Sequence, residues 1–140
     1  MTDELHLTIR NNFAEMERVT RAVLAVIERQ ALSPKAAYAV ELAVEEIITN
    51  VMKYAYNDTA PHDIDIRIRF ESTHVHLHFE DDGREFDPVA APEPDTTKPI
   101  EERKIGGMGI HLVRAVASFI NYRRANGRNI LELSIRRDLT

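Results

Sequence analysis

The chain has no cysteine among its 140 residues. That absence removes a disulfide framework, a thiolate zinc site and a cysteine nucleophile together. Positive charge is not in excess either: 18 Lys and Arg stand against 23 Asp and Glu, a net charge of −5 with a pI near 5.7. Nucleic-acid surfaces usually carry a clustered basic face, so no direct nucleic-acid partner is expected. No apolar run approaches the ~20 residues of a membrane span, and no membrane partner is expected. The opening Met1-Thr2-Asp3-Glu4-Leu5-His6 has neither a basic n-region nor an apolar h-region, so the expectation is no secretion signal and a cytoplasmic location. Glycine is scarce, with five where an average composition of roughly 7% would give about ten. Four of the five (Gly83, Gly106, Gly107, Gly109) and four of the six prolines (Pro88, Pro92, Pro94, Pro99) fall between 83 and 109. The chain's punctuation is concentrated in one region, beyond what ordinary turns need.

What is present is globular. Hydrophobic residues make up 44% and charged residues 29%, which excludes a disordered chain, a coiled-coil rod and a collagen-like repeat. A single domain over 1–140 is expected, burying roughly 68% of the surface its unfolded form exposes. Leu5, Leu7 and Ile9 alternate with polar residues as in a half-buried strand. Phe13, Met16, Val19, Val23, Val26 and Ile27 recur at helical spacing from about Asn12 to Gln30. Ser33-Pro34 supplies an N-cap and a first-turn proline for a second helix that runs to about Tyr56. Alternation then predicts strands around Ile64–Phe70 and Val75–Phe79. Residues 87–104 are proline-rich and charged without periodicity, a connection longer than most in a compact domain. A third helix is predicted from about Gly109 through Phe119, then a turn at Asn126-Gly127 and one final strand. The expected order is β-α-α-β-β-lid-α-β, an α+β two-layer sandwich with a mostly antiparallel mixed sheet and helices on one face.

Three constellations carry chemistry. On the second helix Glu46, Asn50, Lys53 and Asn57 are spaced 4, 3 and 4, which at ~100° per residue gathers them within about 60° on an otherwise apolar helix. That stripe is either a solvated face or a place for an oxygen-loving cation or a phosphate-bearing ligand. Asp81-Asp82-Gly83-Arg84-Glu85-Phe86-Asp87-Pro88 follows an apolar strand. It reads as a turn, or as a strand-end carboxylate accepting from an amino group beside a glycine that admits a flat ligand. Gly106-Gly107-Met108-Gly109 opens a helix, either as a flexible cap or as a phosphate cradle of backbone N–H groups and helix dipole. His74, His76 and His78 share one strand face. At i, i+2 and i+4 their rings spread along ~14 Å, too far for three to share one ion, so an exposed or partner-contacting face is expected.

In this order the constellations resemble the N box and the two glycine boxes of the GHKL (Bergerat-fold) ATPases, the superfamily of histidine-kinase catalytic domains and gyrase. The likeness covers about residues 5–137. It rests on E-L-A-V-E-E-I-I-T-N-V-M-K-Y-A-Y (41–56), D-D-G-R-E-F-D-P (81–88), G-G-M-G-I-H-L-V (106–113) and Y-R-R-A-N-G-R-N-I-L-E-L (122–133). The FDP tail makes it most similar to bacterial anti-sigma-factor serine/threonine protein kinases. The resemblance implies that Asn50 holds Mg²⁺ against the phosphates of ATP and that Glu46 is the general base. Asp81 would bind the adenine amino group, with Gly83 allowing close approach. Gly107 and Gly109, with Gly106 alongside, would hinge the lid and cradle phosphate. Arg103 and Lys104, at the end of an ATP lid over about 88–106, would face the γ-phosphate. Lys53, Phe86, Met108 and Ile110 lie within the same motifs and join the implied nucleotide-binding set. Two positions depart from the pattern: Glu85 stands where a second glycine is common, and Arg128-Asn129 where a threonine is often found. No secondary base contact is therefore carried over.

The function implied is a kinase that phosphorylates a STAS-domain anti-anti-sigma factor and sequesters a sigma factor. Members commonly dimerise, so a homodimer is also implied. The rival reading is a non-catalytic, ATP-gated partner-binding module using the same pocket. A detached histidine-kinase catalytic domain is disfavoured, since no dimerisation helix bearing a phosphorylatable histidine precedes the motifs.

Overall fold

The computed structural model describes residues 3–90 and 107–140. Five strands and three α-helices follow in the order β1 (Asp3–Arg10), α1 (Met16–Glu28), α2 (Pro34–Tyr54), β2 (Asp63–Phe70), β3 (His74–Asp81), α3 (Gly107–Val116), β4 (Phe119–Ala125) and β5 (Arg128–Arg136), with a 3-10 turn at Phe13–Glu15 leading into α1. Asn12 opens that turn by accepting from the Ala14 N–H at 2.9 Å. Ser33 caps α2 as its sequence position predicts: Oγ accepts from the Ala36 N–H at 3.1 Å, and Pro34 fills the first turn where a missing N–H costs nothing.

Strand order in the sheet is β1-β2-β3-β5-β4, and all four pairings are antiparallel. The expected two-layer α+β sandwich is therefore present, with the sheet antiparallel throughout the described pairings. Period-2 alternation sends Ile64, Ile66, Ile68, Phe70, Val75, Leu77 and Phe79 to one face, where they meet Val40, Ala43, Val44, Ile47, Ile48 and Val51 of α2 in a single core. Fully burying such side chains contributes about 1.5–3 kcal/mol each. Helix α3 packs on α2 and adds Ile110 and Val113 to the same core. Among the described residues no helix is long and apolar enough to cross a membrane.

One expectation is corrected here. The third helix stops at Val116, and Phe119–Ala125 is an edge strand hairpinned to β5 through Asn126-Gly127, so one predicted final strand is really two. Both turn residues have positive φ, 53° and 73°, as a two-residue hairpin with matching twist requires. The lid is expected over about 88–106, and of it only residues 88–90 are described before α3. Val89 is only 5% exposed and belongs to the core cluster, although the proline-rich segment showed no core-facing pattern. Arg103, Lys104, Gly106 and the rest of the lid from 91 lie outside the described residues.

A candidate nucleotide site between two helices and a strand end

The site grows from the way α2 ends. An α-helix leaves its last carbonyls without helical partners, and here the loop after β3 supplies them. Arg84 Nε donates to Tyr54 O at 2.7 Å, and the Arg84 backbone N–H donates to Ala55 O at 2.8 Å. A guanidinium at a helix C-terminus also complements the dipole. Gly83 makes this docking possible, since a Cβ there would lie 2.5 Å from Ala55 O and 2.8 Å from Ala55 Cβ. In this structure the close approach that Gly83 permits is therefore to the end of α2.

Docking brings Asp81, the last residue of β3, beside the C-terminal end of α2. Asp81 is 3% exposed, yet its Oδ1 accepts from the Gly83 N–H at 2.9 Å and from Asn129 Nδ2 at 2.8 Å. Burial pushes its carboxyl above the usual range, while those two hydrogen bonds and Arg124 pull the other way. Both bonds it accepts from described residues fall on Oδ1, which leaves Oδ2 as the acceptor a ligand could use. Beyond Gly83, the Phe86 ring packs against Tyr54 at 5.7 Å and its N–H donates to Asn129 Oδ1 at 3.1 Å.

On α2, one turn separates Glu46 from Asn50. Glu46 is raised above the ordinary carboxylate range, first by burial and then by neighbouring Glu45, with Lys53 opposing. Lys53 thus acts on Glu46 from two turns away along the helix while staying exposed to solvent. Helix α3 begins directly against Glu46: a Cβ on Gly109 would sit 2.6 Å from the Glu46 carboxyl carbon and from its Oε1. The side chain of Ile110, the next residue, is fully buried and anchors this end of α3 in the core. Gly107 and Met108 form the helix's first residues. Asn50 Nδ2 donates to Pro88 O at 3.0 Å, tying the helix to the segment that follows the Asp81–Phe86 loop. Among the described residues its amide oxygen accepts no hydrogen bond, and an amide oxygen is a donor that a hard cation can use.

That donor set suits Mg²⁺, which prefers one or two protein oxygens together with water and substrate phosphates over an all-protein cage. Among the described residues no three His, Asp or Glu side chains gather closely enough to form such a cage.

Asn129 is the site residue that sequence reading missed. It is 2% exposed and stands directly opposite Asp81 across the β3–β5 pairing. The available signal was its position: two residues past the Asn126-Gly127 turn, in phase with inward-facing Leu131, Leu133 and Ile135. A lone amide on that apolar phase needs buried partners. The three strand histidines lie on the sheet's uncovered face, where a groove of about 780 Å³ is also lined by Arg67, Arg69 and Glu132.

The chain is 27% identical over 133 residues to the serine/threonine-protein kinase BtrW of Bordetella bronchiseptica, covering 95% of this chain and 92% of the relative. It is 24% identical over 132 residues to the serine-protein kinase RsbW of Oceanobacillus iheyensis, covering 91% and 82%. Residues 9–135 match the model of the histidine kinase-like ATPase domain. With that match spanning β1 to β5 and all the constellations above, the chain belongs to the histidine kinase-like ATPase domain family.

Proposed function

We propose that the protein is an ATP-dependent serine/threonine protein kinase that phosphorylates a STAS-domain anti-anti-sigma factor and, in its other complex, holds a sigma factor in the cytoplasm. The observation that carries this is the placement of Glu46, half-buried with its carboxyl raised and pressed against the start of α3, one turn from Asn50. A carboxylate of raised basicity beside a glycine-opened helix N-terminus suits proton removal from a hydroxyl next to bound phosphates. Both relatives named above are protein kinases.

In this reading Asp81 holds the adenine amino group and Asn50 holds Mg²⁺ through its amide oxygen. Bound magnesium supplies charge neutralisation on the phosphates. The partner's serine or threonine oxygen forms the new O–P bond, ADP departs with the electrons of the broken bond, and the hydroxyl proton goes to Glu46. The packing of α3 on α2 holds Glu46 in place for this role.

Two variants test the assignment. Glu46→Gln keeps size and hydrogen bonding, so ATP affinity should persist while transfer falls by about 10²–10⁴-fold, the usual range for a general base. Asn50→Ala should weaken both ATP·Mg²⁺ affinity and transfer. Calorimetry with ATP and a labelled-phosphate transfer assay on STAS-domain proteins read the two effects. Wild-type transfer rates in Glu46→Gln would remove Glu46 from the role of base. ATP-dependent binding of a STAS partner by a wild type that transfers no phosphate would replace the kinase with a gated binding module.

A further inference from the structure

Among the described residues the Asn129 side chain makes five hydrogen bonds, and their distribution decides what it does. Nδ2 donates to Asp81 Oδ1 at 2.8 Å and to Arg84 O at 2.7 Å. Oδ1 accepts from Tyr122 Oη at 2.6 Å, Arg124 Nη1 at 3.0 Å and the Phe86 N–H at 3.1 Å. A side-chain amide has two N–H donors and one oxygen with two lone pairs. Both hydrogens are committed, and the oxygen already faces three donors. The network also fixes the amide's orientation, because a flipped carbonyl would face the Asp81 carboxylate and the Arg84 carbonyl. Arg124 Nη1 reaches on to Gly83 O at 2.7 Å. Through these contacts the β4–β5 hairpin holds the whole loop that runs from Asp81 to Phe86.

We propose that Asn129 is a positioning residue of the base site: it pins Asp81 Oδ1 so that Oδ2 alone is presented to a purine amino group, and it makes no base contact itself. The inference rests on the reading of Asp81 as the base acceptor. It differs from a second base-contacting residue because Asn129 has no hydrogen-bonding capacity left to offer. Specificity follows from keeping the carboxyl ionised. An ionised carboxylate accepts from an amino group and repels a carbonyl, whereas a protonated one can also donate to a carbonyl. Removing the Asn129 donor favours protonation of Asp81, and with it loss of discrimination between a 6-amino and a 6-oxo purine. The other groups that act on this carboxyl are Asp82 and Arg124, with Tyr56 and Arg128 in electrostatic reach.

The test is calorimetric titration of the full chain with ADP and with GDP between pH 5.5 and 9. Wild type, Asn129→Leu, Asn129→Asp and Asp81→Asn are compared, with thermal melts as a check on folding. The wild type should favour ADP. Asn129→Leu should weaken ADP binding by about 10- to 100-fold, the scale of one lost hydrogen bond to a charged group. Its ADP:GDP ratio should fall, and the midpoint of its pH profile should move upward. Asn129→Asp keeps the shape and an acceptor but loses the donor, so it should move the midpoint further in the same direction. That variant carries the test if the leucine chain fails to fold. A wild-type ADP:GDP ratio and pH midpoint in either folded variant overturn the proposal, and if Asp81→Asn still alters selectivity the base-site reading survives. A wild type that binds neither ADP nor ATP overturns both.

Discussion

Asp81 carries a conflict between stability and function that its surroundings make measurable. Burial raises its carboxyl, so the folded chain binds that proton more tightly than the unfolded chain does. A group raised on folding contributes stability that is complete below its unfolded value, about 3.9 for Asp, and is lost as pH rises through the folded value. Ionised Asp81 at neutral pH is therefore a cost that the fold tolerates. Asp81→Asn removes that titration and, if Asp81 is the proposed base acceptor, also weakens a preference for adenine. The melting temperature of the variant minus that of the wild type should rise between pH 4 and 7. A difference that stays constant across that interval would show that Asp81 does not titrate in the folded chain. The neighbouring glycine acts sterically. Gly83→Ala drives a methyl group into the Ala55 carbonyl, and urea denaturation should show a loss of about 1–3 kcal/mol, typical of overpacking. Gly109→Ala drives a methyl group against the Glu46 side chain from Cγ to Oε1. It should cost less stability than Gly83→Ala, because a side chain rather than a backbone carbonyl must move, and it should reduce phosphoryl transfer by displacing the proposed base.

At the scale of elements, legibility followed the strength of periodic signals. Helix α2, strand β2 and strand β3 were readable because their apolar residues keep strict phase and Ser33-Pro34 and Asn57-Asp58 mark the ends of α2. Strand β4 was not. Its inward-facing residues are Ile120, Tyr122 and Arg124, and a core-side arginine breaks the alternation. No glycine or proline separates Val116 from Phe119, so helical spacing ran on past the true end of α3. The motifs on α2 and after β3 announced Glu46, Asn50 and Asp81. What sequence could not supply was the hydrogen-bond bookkeeping that draws in Asn129, Tyr122 and Arg124, because those partners meet only once β5 lies between β3 and β4.

Across the described residues, one face of the sheet is covered by helices and the other is open, and side-chain ion pairs tie connecting loops together. His62 is one such tie. Its Nε2 lies 2.8 Å from Asp58 and its Nδ1 3.2 Å from Asp82, while its ring stacks on Tyr56 at 4.5 Å. The hydrogen bond to Asp58, followed by the one to Asp82, raises the imidazole above its ordinary range. A raised histidine contributes stability that is complete below its unfolded value, about 6.5, and is lost as pH rises through the folded value. His62→Gln should therefore lower the melting temperature more at pH 6 than at pH 8.5. An equal loss at both would leave ring stacking as the whole of its contribution. The proton resonances of His62 should titrate later than those of a solvent-exposed histidine peptide.

The two left-handed residues at Asn126 and Gly127 have a further consequence, in the order of assembly. They close a hairpin whose strands are adjacent in sequence, a kind of event that takes about 1–10 μs. The contact between Asp81 and Asn129 spans 48 residues and must wait for a much larger loop to close. A slip of one residue at the turn would send Asn129 to the open face with every other side chain of β5 reversed. The wall of the proposed base site is therefore fixed in register by a local turn before the carboxylate it would serve arrives.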